Sequence, residues 1–329
     1  MTYQYLTPED IDHFLEYGYI RIDGAFTREA SAQWTSELWP RLGMDPKDKS
    51  TWPTDRDRIH MPDTKRIKVA DFAPKAWAAI CDLLGGEDRI DEKSATWSNG
   101  FIVNLGLHEL VGREPLLPKE LDNWHVDGDF FIHFLDSPEQ ALLVIPVFSD
   151  IEPRGGGTYI CPDGIDIIAK YLHSHPEGVM PVDRQFVPST GTNSPMDPVD
   201  TSVPGYWSHL REVQRCSHFV EMTGKIGDVV LMHPLMMHSA SKNHLRTPRV
   251  ITNPPVSLKE PFRFDGSGHN LSLVEKKTLR ALGVNALEGW SISGERRMIV
   301  PKRVLIQQKM RQEEEKRLAA LREEAAKAH

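Results

Sequence analysis

Along the first 94 positions, apolar residues recur at helical spacing between glycine and proline stops. In "LTPEDIDHFLEYGYIRI" the residues Ile11, Phe14 and Leu15 form one stripe, with Thr7 placed to cap the helix, Pro8 to start it and Gly18 to end it. "YIRI" then reads as a short strand. A second helix is expected after Thr27, ending near Pro40. A third runs from Pro74 through Trp77, Ile80, Cys81 and Leu84 to the Gly85-Gly86 stop.

From about residue 95 the period changes. Short apolar runs, among them "FIVNLG", "WHVDGDFFIHFL", "ALLVIPVF", "GTYICP", "GDVVLMHP" and "RVITNPP", are separated by Gly, Pro, Asp and Asn, a pattern of short strands and turns. "ALLVIPVF" is apolar throughout and should be covered on both faces. The fold class predicted is mainly β with flanking helices, built on a double-stranded β-helix, or jelly roll. A single domain is expected over 1–300: a helical part at 1–94, the jelly-roll core at 95–258 with a lid-like insertion at about 163–215, and C-terminal elements at 259–300. Within the insertion, Ile165, Ile168 and Leu172 mark one amphipathic helix. Residues 178–207 have no period and many Pro, Ser, Thr and Gly, which suits either a lid or a surface excursion. Residues 301–329 read as a charged, solvated helix with Arg311/Glu315 and Glu313/Arg317 at i, i+4 spacing, or as a possible homodimer contact.

Composition narrows the function class. A formal net charge of -8 argues against a nucleic-acid scaffold, and no apolar run reaches the roughly 18 residues needed to span a membrane. A small-molecule substrate fits better. The three cysteines, Cys81, Cys161 and Cys216, are widely spaced with no CxxC, so neither a disulfide framework nor a thiolate zinc site is expected. With no recognisable export signal at the start, a cytoplasmic location is expected.

Candidate chemistry begins with "NWHVDGDFF". On a strand, His125 and Asp127 share one face and Trp124 the other. Chance alone predicts about two His-x-acid pairs in a chain with 14 His and 47 Asp plus Glu, and two occur. The second, His175-Pro176-Glu177, straddles a proline at a helix end, so context favours the first. Downstream, "GKIGDVVLMHPLMMHSASKNHLRTPRVITNPP" offers a Gly-Asp turn, an apolar strand, a histidine and then an arginine at the head of another strand. Two imidazoles and one carboxylate are the parts of a facial triad that suits Fe(II) and leaves open positions. An arginine nearby supplies a planar, permanently charged fork for a carboxylate.

The stretch Trp124-His125-x-Asp127, the "GGGTYICPDG" turn and the block Gly227-Asp228 … His238 … Asn243 … Arg249 resemble the phytanoyl-CoA dioxygenase-like branch of the Fe(II)/2-oxoglutarate-dependent oxygenases, over roughly residues 5 to 255. The resemblance implies that His125, Asp127 and His238 ligate iron. It further implies that Arg249 holds the far carboxylate of 2-oxoglutarate, with Thr158 beside the same co-substrate. The activity implied is oxidation of a small-molecule metabolite by dioxygen, as hydroxylation, desaturation or ring formation, with release of succinate and carbon dioxide. Where the family commonly has Pro-Gly-Ser-His, this chain has "CPDGID", and no acyl-CoA-specific feature is visible.

Several alternatives stand beside these assignments. His233 competes with His238 as the distal ligand, and Arg246 with Arg249 as the anchor. His133 shares the face of His125 by parity but would lie about 26 Å away along an extended strand. Asn104 either faces the site or makes a structural hydrogen bond. The same three side chains would also serve a zinc-dependent hydrolase, and the jelly roll a binding module without turnover.

Overall fold

A computed structural model of the chain describes residues 3–182, 185–188, 207–266, 270–301 and 303–327. The opening helix, Pro8–Tyr17, carries a reciprocal cap: the Thr7 hydroxyl accepts from the Asp10 N–H, and the Asp10 carboxylate accepts from the Thr7 N–H. Gly18, at φ 74, ends it and turns the chain into Tyr19–Ile22, which pairs with Val229–Met232. The N-terminal helices are thereby fastened to the central sheet. Pro74–Leu84 is helical as expected and stops at Gly85.

Eight segments build the core. In chain order they are Ile102–Asn104, the bridge at His125, Leu142–Pro146, Thr158–Cys161, Val220–Met222, Val229–Met232, Met237–Ala240 and Arg249–Ile251. One sheet runs first, eighth, third, sixth: Ile102–Asn104 pairs with Arg249–Ile251, Ile251 bridges Val147, and Leu142–Pro146 pairs with Val229–Met232. The other runs second, seventh, fourth, fifth, through the bridge of His125 to His238 and the ladders of Thr158–Cys161 with Met237–Ala240 and Val220–Met222. All these pairings are antiparallel, and their interleaving is a jelly roll. Arg58–His60 and Tyr19–Ile22 extend the first sheet at its two ends. Leu142–Pro146 is buried throughout, as its unbroken apolar run requires, and Phe148 just beyond packs against Phe26, Phe72 and Phe101. Each such aliphatic side chain contributes about 1.5–3 kcal/mol.

Three expectations are corrected. The helix after Thr27 is two helices, Arg28–Trp34 and Leu38–Leu42, and Pro40 lies inside the second. Proline is tolerated in a first helical turn, where its missing N–H has no partner to lose, so Pro40 follows a start rather than marking a stop. Second, the stretch from Trp124 to Phe134 is not one extended strand. Gly128, at φ 115, folds it back, and His133 Nε2 lies 2.7 Å from the Gly128 carbonyl oxygen. A Cβ at Gly128 would come within 2.8 Å of the His133 ring, so the reversal requires glycine.

The third correction concerns Arg303–Lys327, which is helical but not a solvated rod. Glu314 is buried against Arg41, 2.6 Å away, with side-chain exposures of 5% and 2%. Arg41 also donates to the carbonyls of Asn99 and Pro62. The expected i, i+4 pairs give way to contacts with the domain: Arg311 with Asp63, and Arg317 with the Arg41 carbonyl. Removing one member of a buried ion pair leaves the other uncompensated, at about 3–5 kcal/mol. Glu314→Ala should therefore lower the urea midpoint or free the helix for proteolysis; an unchanged midpoint and cleavage rate would mean that the helix is not held here.

In the insertion, Gly164–His173 is the expected helix, and Val179–Val182 pairs with Gln185–Pro188. Residues 183–184 and 189–206 of the expected lid lie outside the described residues. No helix among the described residues is long and apolar enough to cross a membrane.

Candidate metal centre

His125 and His238 face each other across the edge of the second sheet, joined by reciprocal backbone hydrogen bonds of 3.0 and 2.9 Å. Each ring is oriented by its own chain. His125 Nδ1 lies 2.6 Å from the Asn123 carbonyl oxygen, and His238 Nδ1 lies 3.0 Å from that of Met236. A carbonyl only accepts, so each Nδ1 carries the hydrogen and each Nε2 offers a lone pair. Asp127 Oδ1 stands 3.3 Å from Nε2 of His125 and 3.6 Å from Nε2 of His238. The donor atoms of all three lie within 4.8 Å of one another.

Three lone-pair atoms pointed at one place repel unless a cation or a proton sits between them. Burial works against charge on every member. Asp127 nevertheless stays well below the usual carboxylate range, because attraction to His238, and the hydrogen bond an imidazole Nε2 donates once it is protonated, outweigh desolvation. His238 is raised despite its burial, through the charge and hydrogen bond of Asp127, whereas desolvation and then repulsion from His238 lower His125. The pocket thus holds a fixed negative charge and an imidazole that takes a proton readily. A divalent ion competes for that position. As pH falls through the raised range of His238, its Nε2 is protonated and metal affinity should fall; above that range affinity should level off. Titration with Mn(II) between about pH 5 and 8, a range set by the ordinary imidazole value, tests this, and a flat profile would exclude His238 as a ligand.

Arg249 is paired with Asn104 in the first sheet, 2% exposed, and held by a 2.8 Å hydrogen bond from Nε to the Gly156 carbonyl. Its Nη1 is buried with no hydrogen-bond partner among the described residues. Burial and then the like charge of Arg58 pull its pKa down to about 10, against Asp57, so it is still a cation at neutral pH. A buried, unmatched guanidinium nitrogen is costly, and a carboxylate is the group that repairs it. The glycine turn makes the approach possible: Gly156 has φ 83, and a Cβ there would lie 2.8 Å from Asn104 Nδ2. Two residues on, Thr158 is buried on the same face of its strand as Ile160, the register partner of His238. The same glycine turn therefore leads Thr158 toward the metal face and supports Arg249.

The competing residues sort clearly. His233 is fully buried with Nε2 2.9 Å from Thr278 Oγ1, while its Nδ1 accepts from the Leu235 N–H, so both nitrogens are used. Arg246 lies over the Trp52 ring, 5.3 Å from its centroid. Trp124 is buried on the opposite face and donates to the Pro118 carbonyl. His133, which an extended strand would carry away from the site, instead lines a small cleft with Asp127, Phe131, Leu135 and Phe262, but it is not among the three clustered donors. Asn104 makes structural hydrogen bonds: its Oδ1 accepts from the Gly106 N–H and its Nδ2 contacts the Ser241 carbonyl. Reasoning from sequence missed Asn253, whose Nδ2 donates to Asp127 Oδ2 at 3.3 Å. Continuing the alternation of the Arg249–Ile251 strand two residues past its end would have pointed to it.

No family model matches the sequence, and no curated protein matches it either. Among solved structures the chain is similar to SnoK, a non-heme alpha ketoglutarate dependent carbocyclase from nogalamycin biosynthesis, at 15% identity over 91% of this chain and 99% of that one, TM-score 0.43. It is also similar to HygX from Streptomyces hygroscopicus with nickel and 2-oxoglutarate bound, at 15% identity over 78% and 88%, TM-score 0.38. A third is EctD from S. alaskensis in its apoform, at 18% identity over 90% and 89%, TM-score 0.39. An activity does not transfer across likenesses this distant.

Proposed function

We propose that the protein is an Fe(II)/2-oxoglutarate-dependent oxygenase that oxidises a small-molecule metabolite, of the kind the phytanoyl-CoA dioxygenase-like resemblance implies. The observation that carries this is the pairing of two unmet needs: three lone-pair donors converging beside one sheet, and the buried Nη1 of Arg249 in the sheet facing it, which has no hydrogen-bond partner among the described residues. Two imidazoles and one carboxylate suit ferrous iron and leave positions open. A dicarboxylate reaching from the metal to a guanidinium satisfies both needs at once.

When bound, iron and 2-oxoglutarate supply dioxygen activation, with succinate and carbon dioxide as co-products. The chain supplies placement. His125 and His238 are fixed as Nε2 donors by the Asn123 and Met236 carbonyls, and Asn253 restrains the second oxygen of Asp127. Arg249 orients the co-substrate, and Thr158 offers a hydroxyl just after the glycine turn that supports it. The cleft lined by Phe131, Leu135 and Phe262 borders Asp127 and is where an apolar part of the substrate would rest, away from water. A zinc hydrolase on the same triad would leave Nη1 of Arg249 without a purpose, as would a binding module.

The test is anaerobic reconstitution with Fe(II) and 2-oxoglutarate, followed by admission of air. A weak visible charge-transfer band and then succinate are expected. Absence of both would leave the hydrolase or the binding module.

A further inference from the structure

The spacing of the three cysteines gives no reason to pair any of them, yet the fold brings Cys161 and Cys216 together, both buried and both free. The sulfurs and a carboxylate oxygen of Asp163 all lie within 4.8 Å of one another. Cys161 ends the Thr158–Cys161 strand opposite Met237, so its side chain lies on the face of the sheet away from His238. Cys216 follows the short turn Val213–Arg215 at the far end of the insertion. Asp163 ties the two: its Oδ1 accepts from the Cys161 thiol at 3.1 Å, and its Oδ2 accepts the backbone N–H groups of Ser217 and His218 at 2.6 and 3.2 Å.

We propose that Cys161 and Cys216 form a reversible disulfide on exposure to a hydroperoxide, locking both ends of the 163–215 insertion to the back of the ligand-bearing sheet. A disulfide needs sulfurs about 2.05 Å apart, so the two sulfurs, already within 4.8 Å, must turn toward each other to bond. A metal is the poorer occupant, because hydrogen bonds already engage the Asp163 oxygens and two thiols alone do not complete a tetrahedral site.

The chemistry balances. The Cys216 sulfur attacks one oxygen of hydrogen peroxide and the O–O bond breaks, giving a sulfenic acid, while the departing hydroxide takes up the thiol proton and leaves as water. Cys161 then attacks that sulfur, forming the S–S bond. The Cys161 proton passes by way of Asp163 to the departing hydroxide, which leaves as a second water. Two electrons, one from each sulfur, reduce the peroxide. The contact with Cys216, burial and the charge of Asp163 all hold the Cys161 thiol protonated beforehand, so its proton leaves only as the S–S bond forms, along the 3.1 Å hydrogen bond to Asp163 Oδ1.

The full chain, stripped of metal with a chelator, is treated with hydrogen peroxide, denatured and titrated for thiols. The count is expected to fall from the three of the sequence to one, with a mass loss of about 2 Da and a peptide linking Cys161 to Cys216. Dithiothreitol should restore three. Cys81→Ser should still form the link, and Cys216→Ser should not. An unchanged count, a link involving Cys81, or oxygen addition of about 32 Da at Cys161 or Cys216 would overturn the proposal. Peptide mapping of the unsubstituted chain decides the matter even if Cys216→Ser does not fold.

Discussion

His238→Ala is expected to leave a folded protein that neither holds a divalent ion nor turns over. The variant removes one of three donors and leaves His125 and Asp127, which share one short segment and cannot surround an ion. Loss of an outer hydrogen-bond partner typically lowers metal affinity 10–100-fold, and loss of a ligand should exceed that. Asn253→Ala supplies the comparison, because Asn253 donates to the far oxygen of Asp127. It should fall within the 10–100-fold range while His238→Ala lies beyond it. Mn(II) titration monitored by electron paramagnetic resonance ranks the two, and circular dichroism confirms the fold. Equal affinities for the two variants would contradict the division of roles.

Arg249→Ala should behave differently: metal binding without co-substrate stays near its original strength, while the KM for 2-oxoglutarate rises. Truncating one partner of a buried charged pair costs about 2–5 kcal/mol, roughly 30-fold or more in affinity. Arg249→Lys keeps the charge but loses the planar fork and the Nε bond to Gly156, so it should recover only part of the loss. The split between unchanged metal affinity and raised co-substrate demand is the signature of an anchor. A parallel loss of both would place Arg249 in the fold's support instead.

Much of the core was legible because its signals are local. The cap at Thr7, the glycine stop at Gly85 and the unbroken apolar run at 142–146 each specify one element without reference to distant residues. The candidate donors were legible for a related reason: parity along a strand put His125 and Asp127 on one face, and the structure keeps them there. Bringing His238 to them takes a sheet order that no local pattern encodes.

What escaped the sequence is long-range or depends on a single backbone angle. Gly128 reverses a segment that reads as a continuous strand, and only the positive φ reveals why His133 sits beside its carbonyl. Arg41 and Glu314 find each other across the length of the chain, so a helix whose visible charges suggested solvent is docked through an acid it buries. The meeting of Cys161 with Cys216 has the same origin, in the return of the insertion to the strand it left.

Diffraction at the iron absorption edge from crystals equilibrated anaerobically with Fe(II) measures the principal claim without intermediaries. One anomalous peak is expected, bonded to Nε2 of His125, Nε2 of His238 and a carboxylate oxygen of Asp127. A peak at any other position, or iron held with either imidazole turned away, would contradict it.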